Sequence, residues 1–133
     1  MGSFSGEIMN TSRSNDKRRF KRFIVKEGAF AVLRNRASKI GQVIDISRGG
    51  LSLRYIHEES GTEGLHELDI FLSNEGFYIK RVPFITVSDF EETIQRPNQM
   101  VLMRRLGVRF GKLSLNQVSH LEFFINNYTT AKA

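Results

Sequence analysis

The chain has 133 residues, no cysteine and a formal net charge of +6. That length fits one domain with a sizeable core, and the missing thiols exclude disulfides, thiolate metal sites and cysteine nucleophiles. Apolar residues make up 40% of the chain and charged residues 26%, an ordinary globular balance, and no apolar run approaches the ~18–20 residues of a membrane-spanning helix.

The N-terminal stretch MGSFSGEIMN is polar and does not read as a secretory signal. With the absence of disulfides, this suits a cytoplasmic protein. The charge is unevenly spread. Residues 1–22 hold six Lys/Arg against two acids, a net of +4. Such a field attracts phosphates, although a basic arm is often no more than solvated. Residues 1–15 are rich in Ser, Asn, Thr and Gly and offer little to bury. They are expected to form a flexible arm, with one domain over 16–133.

From Phe23 the pattern becomes β-like. FIVKEGAFAVLRN is aromatic and β-branched with a central glycine. KIGQVIDIS and GLSLRYI follow, then a Gly/Glu/Ser-rich loop and LHELDIFLS. Asn74-Glu75-Gly76 predicts a hairpin turn into FYIKRVPFITVSDF. Pro83 inside that run predicts an edge strand or a bulge. After the polar loop at Arg96-Pro97-Asn98 comes MVLMRRLGVRF, where Leu106, Val108 and Phe110 alternate with Gly107 and Arg109. About six strands separated by short turns predict a mainly β fold, a small six-stranded antiparallel barrel. The end of the chain differs. Ser114 and Gln117 have capping-box spacing, and Leu115, Val118, Leu121, Phe124, Ile125 and Tyr128 recur at helical spacing. One C-terminal helix over about 114–128, packed on the barrel, is expected.

Two short motifs carry chemistry. Asp16-Lys17-Arg18-Arg19-Phe20-Lys21-Arg22 places Arg18 and Arg22 at Arg-x-x-x-Arg spacing. Asp45-Ile46-Ser47-Arg48-Gly49-Gly50 places Asp45, Ser47 and Gly50 at Asp-x-Ser-x-x-Gly spacing. Alone, the second motif reads as a turn, with Asp and Ser holding it and glycine permitting it. The two motifs in this order, the strand FIVKEGAFAVL, the late strand RRLGVRF and the closing LNQVSHLEFFINNY together resemble the PilZ domain family over roughly residues 16–128.

That resemblance implies a small β-barrel that binds the bacterial second messenger cyclic di-GMP, with no catalytic residue, no metal and no cofactor beyond that ligand. It assigns Arg18 and Arg22 to the ligand. Guanidiniums suit this role because they grip phosphate or a guanine edge with two parallel hydrogen bonds and stack on bases. Arg19 would add a phosphate contact or a stack. Asp45 would accept from the guanine N1–H and N2–H₂ edge. Ser47 would orient Asp45 or touch the base, and Gly49 and Gly50 would admit a close backbone. Lys17 stands where the family sets whether one ligand or a stacked pair binds. The expected mechanism is a basic arm drawn onto the barrel by the ligand, which then presents a surface to a protein effector. Arg104 and Arg105 could reach the ligand, but alternation places only one of them on each face, and a solvated strand surface is the expected use of both.

Other readings have less support. His57, His66 and His120 lack a metal-ligand spacing, and His57 and His66 flank an acidic loop of ordinary solvated character. No nucleophile elbow, P-loop or G-x-G-x-x-G occurs. A nucleic-acid-binding barrel would suit the basic arm and would need exposed aromatics. Phe71, Phe77, Tyr78 and Phe84 are candidates, with core packing the simpler use. A PilZ-like interaction module without ligand is the third alternative, and the presence of both motifs counts against it.

Overall fold

A computed structural model of the chain describes residues 20–34, 39–56, 67–73 and 76–132. The expected arm at 1–15 lies outside these residues, as do Lys17, Arg18, Arg19 and the loop bearing His57 and His66. β1 (Phe23–Val25) and β2 (Ala29–Arg34) divide the first expected strand at Gly28, whose φ of 95° favours glycine. β3 (Lys39–Ile46), β4 (Gly50–Ile56) and β5 (Glu67–Leu72) follow. β6 (Tyr78–Arg96) and β7 (Gln99–Phe110) form a long hairpin, with β6 running on past the expected strand end at Phe90 to Arg96, expected in the loop. α1 (Leu115–Asn127) precedes β8 (Thr129–Lys132).

Every pairing is antiparallel. The order β2-β5-β6-β7-β4-β3, with β2 also paired to β3, makes a ring of six strands. A ring of six antiparallel strands with one C-terminal helix is what the sequence predicts. β1 and β8 are additions outside the ring: β1 pairs with β3 on one side and β8 on the other. β8 has no sequence signal, because TTAK is too short to show alternation.

Alternation decides what enters the ring. Ala29, Ala31 and Leu33 of β2, Leu51, Leu53 and Tyr55 of β4, Leu68, Ile70 and Leu72 of β5, and Leu106 and Val108 of β7 are all buried. The helix begins as expected. Ser114 caps it, and Ser114 and Gln117 complete the reciprocal capping box. Leu121 and Phe124 enter the core, with Ile125 and Tyr128 packed against it. Leu115 and Val118 depart from the expected stripe, at 88% and 38% exposure in the first turns of the helix. Gln117 does more than cap. Its Nε2 donates to the Lys80 and Arg81 carbonyls at 2.9 and 3.0 Å, fixing the helix to β6.

Those carbonyls belong to a bulge. Between the pairs Leu68↔Val82 and Ile70↔Ile79, β6 carries one residue more than β5. Arg81 has φ 55° there. Pro83 follows two residues later, in a strand paired on both sides, so it marks a bulge and not an edge. Asp69, 1% exposed, holds this irregularity. It accepts from the Arg81 amide at 2.8 Å, the Tyr78 hydroxyl at 3.0 Å and Arg34 Nε at 2.8 Å. Burial pushes the Asp69 pKa up, but the bonds from Arg34, Arg81 and Tyr78 outweigh it and leave the group below its ordinary value.

A depressed carboxylate pKa contributes stability that is present above the unfolded value and lost as pH falls through the folded one. Melting temperature is therefore expected to drop below about pH 4, and to drop less steeply in Asp69→Asn. Asp69→Ala, which leaves the Arg81 amide unpaired, should cost about 2 kcal/mol in denaturant unfolding. A second expectation concerns Gly50. A Cβ there would lie 2.1 Å from the Val108 carbonyl oxygen, in backbone that cannot yield. Gly50→Ala should cost about 3 kcal/mol, against about 1 kcal/mol for Gly76→Ala, where space is open and only the φ of 69° resists.

Candidate ligand cleft

Two further bulges build the candidate site. In β3, Val43 pairs with Leu53 and Asp45 with Ser52, which leaves Ile44 as the extra residue. Strict alternation from buried Val43 would send Asp45 inward. The bulge reverses the phase, so Ile46 fills the core and Asp45 faces out. It also lies where β3 changes partner, from β2 at residues 39–42 to β1 at 45–46. In β6, Thr86 pairs with Val108 and Ser88 with Gly107, leaving Val87 extra. That shift sets Ser88 and Phe90 on the outer side, beside Gly107 and Arg105.

The result is a cleft of about 380 Å³ lined by Arg22, Asp45, Ser52, Val87, Ser88, Phe90, Arg105 and Gly107. Gly107 forms part of its wall; a Cβ there would stand 2.5 Å from the Ser88 hydroxyl. Arg22 Nη1 donates to Asp45 Oδ1 at 2.7 Å, joining the two sequence motifs directly. Both side chains are mostly covered, at 17% and 14% exposure. On the other side of Asp45, Arg105 Nη2 lies 3.6 Å from Oδ2. Arg105 also reaches Glu92 at 3.5 Å, and Arg54 Nε reaches Glu92 at 2.9 Å. Charges thus alternate along the outer side of the sheet.

The rest of the second motif is a turn held by Ser47. Its buried hydroxyl accepts from the Gly49 and Gly50 amides at 3.0 and 3.2 Å and donates to the Gly50 carbonyl at 3.3 Å. Gly49 lies against the Phe20 ring, where a Cβ would be 2.7 Å from a ring carbon. Arg48 pairs with Glu122 on the helix. A second cleft, of about 390 Å³, lies between Phe20, Lys21, Phe23 and Arg48 and the helix residues Glu122, Ile125 and Asn126.

Of the expected site residues, the structure brings Arg22 and Asp45 together and sets Ser47, Gly49 and Gly50 in the adjoining turn. Arg18, Arg19 and Lys17 lie outside the described residues. Arg22 lies against the ring, held by Asp45. The question of Arg104 and Arg105 is resolved. Arg104 is on the core side, donating to Asp89 Oδ1 at 2.7 Å, and Arg105 faces the cleft. Ser52, Ser88, Phe90 and Gly107 were missed. Their sequence signal depends on knowing where the bulges fall.

The aromatic candidates separate. Phe84 is core, and Phe77 packs with Phe123, Phe124 and Tyr128. Phe71 and Tyr78 are not core. They stack with Phe30 as a cross-strand ladder outside the ring, with centroids 5.8 and 6.1 Å apart. His120 is exposed, its ring edge-on to Phe77. Among the described residues no group of His, Asp and Glu could hold a metal, and no helix is long and apolar enough to cross a membrane.

Neither family models nor curated proteins match the sequence. Solved structures do match the fold. The PilZ domain of YcgR from Escherichia coli, solved with c-di-GMP, superposes with a TM-score of 0.69 at 15% identity, over 85% of this chain and 92% of that one. The MrkH–c-di-GMP complex of K. pneumonia superposes with a TM-score of 0.67 at 17% identity, over 84% of this chain. This chain spans about half the length of MrkH, 51% of it. The six-strand ring, the long hairpin and the closing helix together give this chain the fold of a PilZ domain.

Proposed function

We propose that the chain is a cyclic di-GMP receptor that binds the dinucleotide at the Arg22–Asp45 cleft. The observation that carries this reading is the 2.7 Å contact between one residue of each motif, at the mouth of a cleft lined by two arginines. Two structural neighbours are described with c-di-GMP, which supports the same ligand here.

The chemistry is complementary. Cyclic di-GMP carries two phosphate charges and two guanines. Arg22 offers a planar fork to a phosphate or to a guanine O6/N7 edge. Asp45, whose ionised carboxylate accepts and cannot donate, suits the guanine N1–H and N2–H₂ donors. Ser47 keeps the turn closed, and Gly49 and Gly50 leave its backbone bare. Arg18 and Arg19, which precede Phe20, would supply the remaining cations, and Lys17 would bias the site toward one ligand or a stacked pair. Phe20 rests on Gly49, and Arg48 of the same turn reaches Glu122 of the helix. Ligand-driven ordering of the arm would therefore be felt at the helix, where a protein effector would read it. This is the role of a cytoplasmic signalling adaptor, with no catalytic step.

Calorimetric titration tests the reading. Cyclic di-GMP should bind the wild-type protein, and GTP and a short oligonucleotide should not. Arg22→Ala and Asp45→Asn should each weaken binding about tenfold or more. Salt-sensitive binding of the oligonucleotide without heat from cyclic di-GMP would replace this reading with nucleic-acid recognition.

A further inference from the structure

We propose that Arg105 is a third arginine of this site, held loosely in the cleft so that it can take a phosphate or a guanine edge. The inference rests on the receptor reading and adds a residue that neither motif contains.

Arg105 sits on β7, 60 positions beyond Asp45 in sequence, yet flanks the same carboxylate as Arg22. The β4–β7 register places it beside Arg54, and the β6–β7 register opposite Phe90. Both strands contribute to the cleft wall. The bulge at Val87 puts Phe90 on this side, half-exposed beside the guanidinium. A flat aromatic face and a planar cation side by side suit a nucleobase.

Its contacts are longer than those of its neighbours. Arg104 donates from Nε to Asp89 at 2.7 Å and from Nη2 to the Asp89 carbonyl at 3.1 Å. Arg54 donates from Nε to Glu92 at 2.9 Å. Among the described residues Arg105 makes one hydrogen bond, a 3.3 Å contact from Nη2 to the Ser52 hydroxyl. Its approaches to Asp45 and Glu92, at 3.6 and 3.5 Å, are ion pairs longer than a good charged hydrogen bond. Its buried Nε–H meets no acceptor among the described residues. Guanidinium offers five donors in a fixed fork, and an unpaired buried donor is costly. Once the loosely held side chain turns out into the cleft, an incoming group with two acceptor oxygens, or a guanine O6/N7 edge, would complete that fork. Asp45, shared between two arginines, would then be free to turn toward a guanine donor edge.

Titrating cyclic di-GMP into wild type, Arg105→Ala, Arg105→Lys and Arg54→Ala tests this. Arg105→Ala should bind about tenfold more weakly and Arg105→Lys about threefold or more, since Lys keeps the charge without the fork. Arg54→Ala, in the same chain of charges but off the cleft wall, should stay within about twofold. Melting of each free variant separates binding from folding. If Arg105→Ala does not fold, Arg105→Lys carries the test. Wild-type binding that Arg105→Ala or a folded Arg105→Lys matches, even with a lowered melting temperature, would overturn the inference and leave the receptor reading standing. Failure of the wild type to bind would overturn both.

Discussion

The candidate site depends on one carboxylate kept on the outer side of a sheet between two guanidiniums. Asp45 is 14% exposed, bonded to Arg22 at 2.7 Å and flanked by Arg105 at 3.6 Å. Partly withdrawn from water, such a group interacts more strongly with its partners than it would at the surface. The pairing ties the segment before β1 to β3 and β7. It also leaves a carboxylate and two forks pointing into one cleft, the set of donors and acceptors that a charged purine dinucleotide requires.

Keeping Asp45 there is a matter of strand phase. A regular β3 would bury it beside Val43. One extra residue at Ile44 turns it out and sends Ile46 into the core. The extra residue at Val87 does the same for Ser88 and Phe90 across the cleft. The third bulge, at Arg81, serves the fold. Asp69 and Gln117 satisfy it from both sides and so join β5, β6 and the helix. Irregular backbone of this kind persists where neighbouring groups satisfy its amides and carbonyls.

Much of the ring was legible in the sequence, because burial on one side of a strand imposes a period of two. Leu106 and Val108 show it plainly, and the Ser114–Gln117 capping box fixed where the helix begins. The pairing of Arg22 with Asp45 was accessible only through motif resemblance, since 23 residues separate them in sequence. Arg105, like Arg104, was expected on a solvated strand surface, with alternation showing only that the two face opposite ways. Pro83 signalled the bulge at Arg81, but the two that build the cleft carry no sequence signal: Ile44 and Val87 are ordinary strand formers whose extra position shows only in the register of a partner strand. Phe71 and Tyr78 were misjudged for a related reason. Aromatics favour both cores and the outer sides of sheets, where they stack across strands.

The central claim is that Arg22 and Arg105 exchange a shared carboxylate for a ligand. Nitrogen-15 spectra of the arginine Nε–H groups, recorded while cyclic di-GMP is added, test it most directly. The account predicts that the Arg22 and Arg105 resonances move together and saturate at one ligand concentration, while Arg104, closed on Asp89, stays in place. Saturable binding that shifts neither Arg22 nor Arg105, or shifts Arg104 equally, would contradict it.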